Sequence, residues 1–125
     1  MSPADHIALK DWEKCTAINI RATGMMIPMI APLLTAASEK ATALFIDDPA
    51  ARAKFMGAYG ASKAAQIALA RAWQMESARI GARVLIEEAA AMPTATRARF
   101  FPGENRAALT PCHQEAERLM RIIAD

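Results

Sequence analysis

Ala43-Leu44-Phe45-Ile46, closed by Asp47-Asp48-Pro49, and Arg83-Val84-Leu85-Ile86, opened by Gly81, bracket a long alanine-rich segment from Gly57 to Ile80. Each short apolar run has the length and composition of a buried strand, and Asp-Asp-Pro reads as the turn that ends the first. Between them Ala61, Ala64, Ala65, Ala68, Ala72 and Met75 give a helix small-residue faces for close packing, and Gly81 is a fitting C-terminal stop. Strand, loop, helix, strand in this order predicts a right-handed parallel crossover, and so an α/β fold in which helices dominate. Two strands do not make a stable open sheet, so something must cover or extend this one.

Upstream, Trp12, Cys15, Ile18, Ala22, Met25, Met29 and Leu33 recur at three- and four-residue steps, which predicts a helix over 11–38 with that face buried. Met25, Met26 and Met29 could line an adaptable apolar surface, but methionines at such spacing more often belong to a core, and a core is the expectation. Pro28 and Pro32 each lack a backbone donor, so the helix is expected to bend or tighten in its later half. Downstream, Ala89 to Pro111 carries Pro93, Pro102, Gly103 and little periodicity, and reads as a long loop with room for one short helix. A last helix over 111–124 places Leu119, Ile122 and Ile123 on one side.

The composition narrows the function classes. At 125 residues the chain is read as one domain, 1–125, and 54% hydrophobic against 22% charged residues argues for a folded core. Fifteen basic and 13 acidic residues leave +2, with neither sign in a block, which argues against a nucleic-acid surface. The apolar run Gly24 to Ala37 falls short of the roughly 20 residues that span a bilayer, so no membrane role is expected. Cys15 and Cys112 lack the spacing of a disulfide framework or zinc site, and the first residues lack a secretory pattern, so a reduced, cytoplasmic setting is expected. Cys112 and His113 are neighbours in sequence and cannot face each other as nucleophile and base, and no metal site is expected. Arg52, Lys54, Arg97, Arg99 and Arg106 are scattered in loops and are expected to be solvated.

Tyr59 and Lys63 are the residues with chemistry in them. Their four-residue step puts phenol and ammonium on one helix face, where a cation favours the phenolate and brings a tyrosine's pKa, ordinarily near 10, toward neutral work as a general acid or base. Tyr and Lys at this spacing on a helix are, taken alone, most often surface residues.

In context, Ala58-Tyr59-Gly60-Ala61-Ser62-Lys63-Ala64-Ala65 resembles the short-chain dehydrogenase/reductase family, in which an active-site Tyr-x-x-x-Lys opens a long helix after a short strand. Other pieces follow in the family's order. Asp11-Trp12-Glu13-Lys14 with Ile18-Asn19-Ile20-Arg21-Ala22 looks like the helix whose asparagine supports a relay water, and Pro32-Leu33-Leu34 fits its later part. Gly81-Ala82-Arg83-Val84 looks like the strand after the Tyr/Lys helix, and Phe101-Pro102-Gly103-Glu104-Asn105 with Leu109 and Pro111 resembles the substrate-side tail of some bacterial members. The resemblance covers nearly all of this chain but only the C-terminal half of a family member. It implies a truncated Rossmann-like half with few parallel strands and two long helices, and an oxidoreductase that moves hydride between NAD or NADP and a carbonyl or alcohol. Tyr59 would be the acid/base, Lys63 would lower its pKa and hold the nicotinamide ribose, Asn19 would anchor the relay water, and Thr94 would contact the cofactor amide. Asn19 has an alternative reading as a residue that satisfies backbone in a helix kink.

The departures from the family are as specific as the matches. No Gly-x-x-x-Gly-x-Gly occurs in the chain, so no dinucleotide cradle is visible. Where the family has a serine that polarises the substrate carbonyl, the chain reads Ile46-Asp47-Asp48-Pro49, and a carboxylate there would repel a tyrosinate and raise the phenol's pKa. Glu87-Glu88-Ala89-Ala90 stands where the family has Pro-Gly near the nicotinamide. Two functions follow as expectations: an NAD(P)-dependent oxidoreductase, inactive as an isolated chain unless another chain supplies the cofactor half, or a non-catalytic module. In the second, the helices over 11–38 and 57–80 pack against those of a second copy, as family members often do, giving a homodimer.

Overall fold

The computed structural model of the chain describes residues 2–37, 41–79 and 81–125. Two compact units, Met1–Glu88 and Ala89–Asp125, each carry their own packing. The first opens with α1 (Leu9–Cys15), which passes through a π-helical turn over Thr16–Arg21 into α2 (Ala22–Ala37). Strand β1 (Thr42–Asp47) follows, then a 3-10 turn over Pro49–Arg52, α3 (Gly57–Ser77) and β2 (Arg83–Glu88). The two strands pair in parallel, Thr42 opposite Arg83 through Asp47 opposite Glu88, as the strand–helix–strand pattern requires. The expected helix ends at Ser38 and Ile80 lie outside the described residues.

The core sits where α2 and α3 cover one face of the sheet. Trp73 of α3, Ala82 and Val84 form its centre, and Ile27, Ile30, Ala31, Leu34, Ala43 and Phe45 pack against them. Phe45 meets Trp73 edge to face at 6.0 Å between ring centroids. Gln74 Nε2 donates to the Val84 carbonyl at 2.7 Å, tying α3 to the strand it precedes.

Two expectations for the first helix are corrected. The face of Trp12, Ile18, Ala22, Met25, Met29 and Leu33, expected to be buried, is the outer face: Met25 is 62% exposed, Met29 68% and Leu33 68%. Met26, expected inside with the other methionines, is exposed too. The inner face is Thr23, Ile27, Ile30, Ala31 and Leu34. Both faces are apolar at helical spacing, so periodicity alone does not choose between them. The second correction concerns geometry. α2 stays α-helical through Pro28 and Pro32, and the departure from α geometry comes earlier, at Thr16–Arg21. Gly24 and Pro28, whose carbonyls lose their donors to the prolines, are exposed, so water can satisfy them.

In the second unit the expected long loop holds its one short helix and, beyond that expectation, a 3-10 turn. α4 (Ala95–Phe100) and a 3-10 turn over Arg106–Ala108 precede α5 (Cys112–Ala124). Glu115, 2% exposed, anchors α5 by accepting from the Ala90 N–H at 3.0 Å and from Arg118 at 2.8 and 3.0 Å. Arg97 was expected to be solvated, but its guanidinium is mostly covered, grips Glu104 at 2.6 and 2.7 Å and lies 4.7 Å from the Phe101 ring centroid. Arg106 donates to the Pro93 carbonyl at 2.8 Å. The Arg97 fork and the single Arg106 bond each close a loop that has no sheet to hold it.

Candidate functional site

The carboxyl end of β1 brings the turn over Pro49–Arg52 onto the first turns of α3, the helix that carries Tyr59, Ser62 and Lys63. Gly60 makes the close approach possible, since a Cβ there would collide with the Ala51 carbonyl oxygen. Asp48 caps the 3-10 turn through Oδ1, which accepts from the Ala50 N–H at 2.9 Å. Its other oxygen, Oδ2, accepts from the Tyr59 hydroxyl at 2.8 Å.

That hydrogen bond sets the electrostatics of the phenol. Burial, the Asp48 bond and the charges of Asp48 and Asp47 together hold Tyr59 far above its ordinary value of 10.0. Asp47 is buried, accepts from the Asp48 N–H at 2.8 Å and pairs with Arg52, which also lies 3.5 Å from Glu88. Arg52 is exposed, as expected of a loop residue, and it also bridges the carboxylates at the ends of both strands.

Lys63 turns toward Gln66. Its Nζ donates to Gln66 Oε1 at 2.8 Å, and Gln66 Nε2 donates in turn to the buried Thr23 hydroxyl at 2.9 Å, linking α3 to α2. Burial lowers the pKa of Lys63 from 10.5, while Asp47 and Asp48 pull it the other way. Asn19 lies in the π-helical turn, and its Nδ2 donates to Ser62 Oγ at 2.9 Å; Ser62, 1% exposed, donates to the Tyr59 carbonyl at 3.0 Å. The first unit thus brings Tyr59, Lys63 and Asn19 to the start of one helix. Thr94 belongs to the second unit, where its hydroxyl accepts from the Arg97 N–H at 3.2 Å and caps α4. Gln66 and Thr23 escape the sequence reading. Gln66 stands three residues after Lys63, a spacing that signals contact, but Thr23 is 43 residues from it and leaves no such sign.

A cleft of about 470 Å³ opens beside these groups, lined by Asp47, Asp48, Arg52, Lys63, Ile67 and Arg71 among others. Among the described residues no three His, Cys, Asp or Glu side chains gather as metal ligands, and Cys15 and Cys112 are free thiols.

Comparisons with known proteins agree on what scaffold this is. The sequence profile of the short chain dehydrogenase family matches residues 1–105. A short chain dehydrogenase of Shigella flexneri 2a, solved in complex with NADP, superposes with a TM-score of 0.79 at 28% identity, over 88% of this chain and 46% of its own. One from Pseudomonas syringae gives 0.78 at 28% identity, over 88% and 45%. For one from Salmonella enterica serovar Typhi the figures are 0.85 and 23%, over 98% and 50%, a likeness of fold alone. The chain spans about half the length of these structures, and no curated protein matches it. From the profile match and the agreement in fold, the chain belongs to the short-chain dehydrogenase family.

Proposed function

We propose that this chain, of NAD(P)-dependent oxidoreductase lineage, does not by itself transfer hydride. The observation that carries this is the Tyr59–Asp48 hydrogen bond. A tyrosine acid/base needs a proton that leaves near neutral pH, and here burial and two carboxylates hold it on. The Shigella relative binds NADP. The residues present here do not fit such a cofactor: the phenol is bonded to Asp48, Lys63 to Gln66, and Asp47 and Asp48 bring negative charge to the Tyr/Lys end of the site. No glycine-rich turn offers backbone N–H groups to a pyrophosphate. Titrating the purified chain with NADH and NADPH, by nucleotide fluorescence and by calorimetry, tests this. No saturable binding at millimolar cofactor is expected; micromolar binding overturns the reading.

A second reading concerns what the fold does instead, and the exposed apolar face of α1 and α2 favours it. In this reading the chain associates with a second copy through the helices over 11–38 and 57–80. Leu9–Ala37 is long and apolar enough to cross a bilayer, but Asn19 and Thr23 are hydrogen-bonded to α3, which supports a packed helix with one open side. Sedimentation or light scattering is expected to give a dimer, and a monomer that melts cooperatively defeats the reading.

A further inference from the structure

Lys63 has a geometry that the Tyr/Lys reading does not use. It lines the 470 Å³ cleft together with Asp48 and Arg71, with apolar surface from Ile67 and Ala68 between the two cations. The amine is half-buried, and the Gln66 bond fixes its position. Burial lowers its hold on a proton, which increases the fraction present as a nucleophile. Arg71 follows Lys63 by two helical turns, so their Cα atoms are about 12 Å apart. Both side chains line the same cleft, which puts the amine and the guanidinium on one wall of it. Negative charge lies near the amine end, in Asp48 and in Asp47 with its Arg52 partner, and positive charge at the far end. A half-buried amine next to apolar wall, with a cation further along the same cleft, suits an electrophilic carbon at one end of a ligand and an anion at the other.

We propose that Lys63 forms an imine with a small aldehyde or ketone that carries an anionic group, the anion being taken by Arg71. The nitrogen lone pair forms the bond to the carbonyl carbon, and the π pair moves to oxygen, which is protonated as the nitrogen loses a proton. The nitrogen lone pair then forms the C=N bond as oxygen departs as water, carrying the second proton that nitrogen gives up. Nothing is oxidised or reduced. The inference goes beyond the reading of the Tyr/Lys pair, because it needs neither dinucleotide nor hydride, and NADPH binding bears on the one without touching the other.

The test is reductive trapping. The full chain is incubated with 4-carboxybenzaldehyde or with benzaldehyde in the presence of cyanoborohydride, and labelled peptides are quantified by mass spectrometry. Lys63 is expected to be labelled by the carboxylated aldehyde at least tenfold faster than Lys10, Lys14 and Lys54 in the same molecule. It is also expected to prefer that aldehyde over benzaldehyde at least threefold. Arg71→Gln, at an exposed position, is expected to bring this preference to about one, while Arg71→Lys retains it. A Lys63 rate less than tenfold above the other three, a preference below threefold, or a preference that survives R71Q overturns the proposal.

Discussion

The strand-end site and the outer face of α2 are built from the same short chain, and they are finished to different degrees. Around Tyr59 each polar group has a partner within the chain: Tyr59 with Asp48, Asp47 with Arg52, Lys63 with Gln66, Gln66 with Thr23, Asn19 with Ser62. Among the described residues no buried side-chain nitrogen or oxygen lacks a hydrogen bond. On α2, by contrast, Met25, Met26, Met29 and Leu33 stand more than half exposed. Burying one such side chain is worth about 1.5–3 kcal/mol, so this face offers several such contributions to whatever covers it. Catalytic sites tend to be the reverse, with strained or unsatisfied polar groups on a settled apolar frame. The contrast is why association, rather than proton transfer, is the reading favoured for the chain by itself.

The largest expected effect tests the apolar side of that contrast. Met25→Arg combined with Met29→Arg removes two apolar contacts and adds two charges to the proposed interface. At about 1.5 kcal/mol each, the dimer Kd is expected to rise about 100-fold or more, read by sedimentation equilibrium. The monomer's own melting is expected to change little, because both positions face solvent within the chain. If the association state does not move, the open face lies elsewhere.

Gly60→Ala tests the polar side. Its methyl meets the Ala51 carbonyl oxygen, so the turn over Pro49–Arg52 must lift from α3. Overpacking of this kind costs about 1–3 kcal/mol, seen as a lower Tm. It also pulls Asp48 from Tyr59, so the phenol is expected to titrate earlier than in the parent chain. A thermal loss without that titration shift would mean that Asp48 follows Tyr59 when the turn moves.

Gln66→Leu is a smaller change. It leaves the Thr23 hydroxyl buried without its donor and releases Lys63 from its acceptor. The expected cost is about 1 kcal/mol by denaturant midpoint, the size of one unsatisfied buried group.

How far the sequence carries toward these sites differs between the two regions. The strand–helix–strand order around Gly57 is legible because length, turn residues and Gly81 all agree, and the parallel register bears this out. Tyr59, Ser62 and Lys63 are legible as one helical turn. Asp48 is legible as a carboxylate in a serine's place, but the bond from Tyr59 to its Oδ2 depends on how the turn lies on Gly60, which no local pattern encodes. The outer face of α2 is misread for a plain reason. Ile27, Ile30 and Leu34 repeat with the same period as Met25, Met29 and Leu33, and only tertiary packing against Trp73 selects the first set.

The smallest change in stability, and the sharpest reading of the site, comes from Asp48→Ser. Tyr59 is the single tyrosine of the chain, so phenolate absorbance reports this one group. In the parent, the folded chain holds the Tyr59 proton above the pH at which the unfolded chain, with an ordinary tyrosine near 10, gives it up. Unfolding therefore releases a proton in that window, and stability declines as pH rises above about 10. Lys63 has the opposite sign: its folded value lies below 10.5, so its contribution improves with pH up to that point and then levels off. Replacing Asp48 removes the hydrogen-bond acceptor and the nearer charge but leaves the burial, the largest cause of the shift. The phenolate transition is then expected to move down toward 10 without reaching it, and the alkaline loss of stability to become shallower. An unmoved transition would assign the raised pKa to burial first and the charge of Asp47 after it, and the Tyr59–Asp48 bond would no longer explain why this tyrosine keeps its proton.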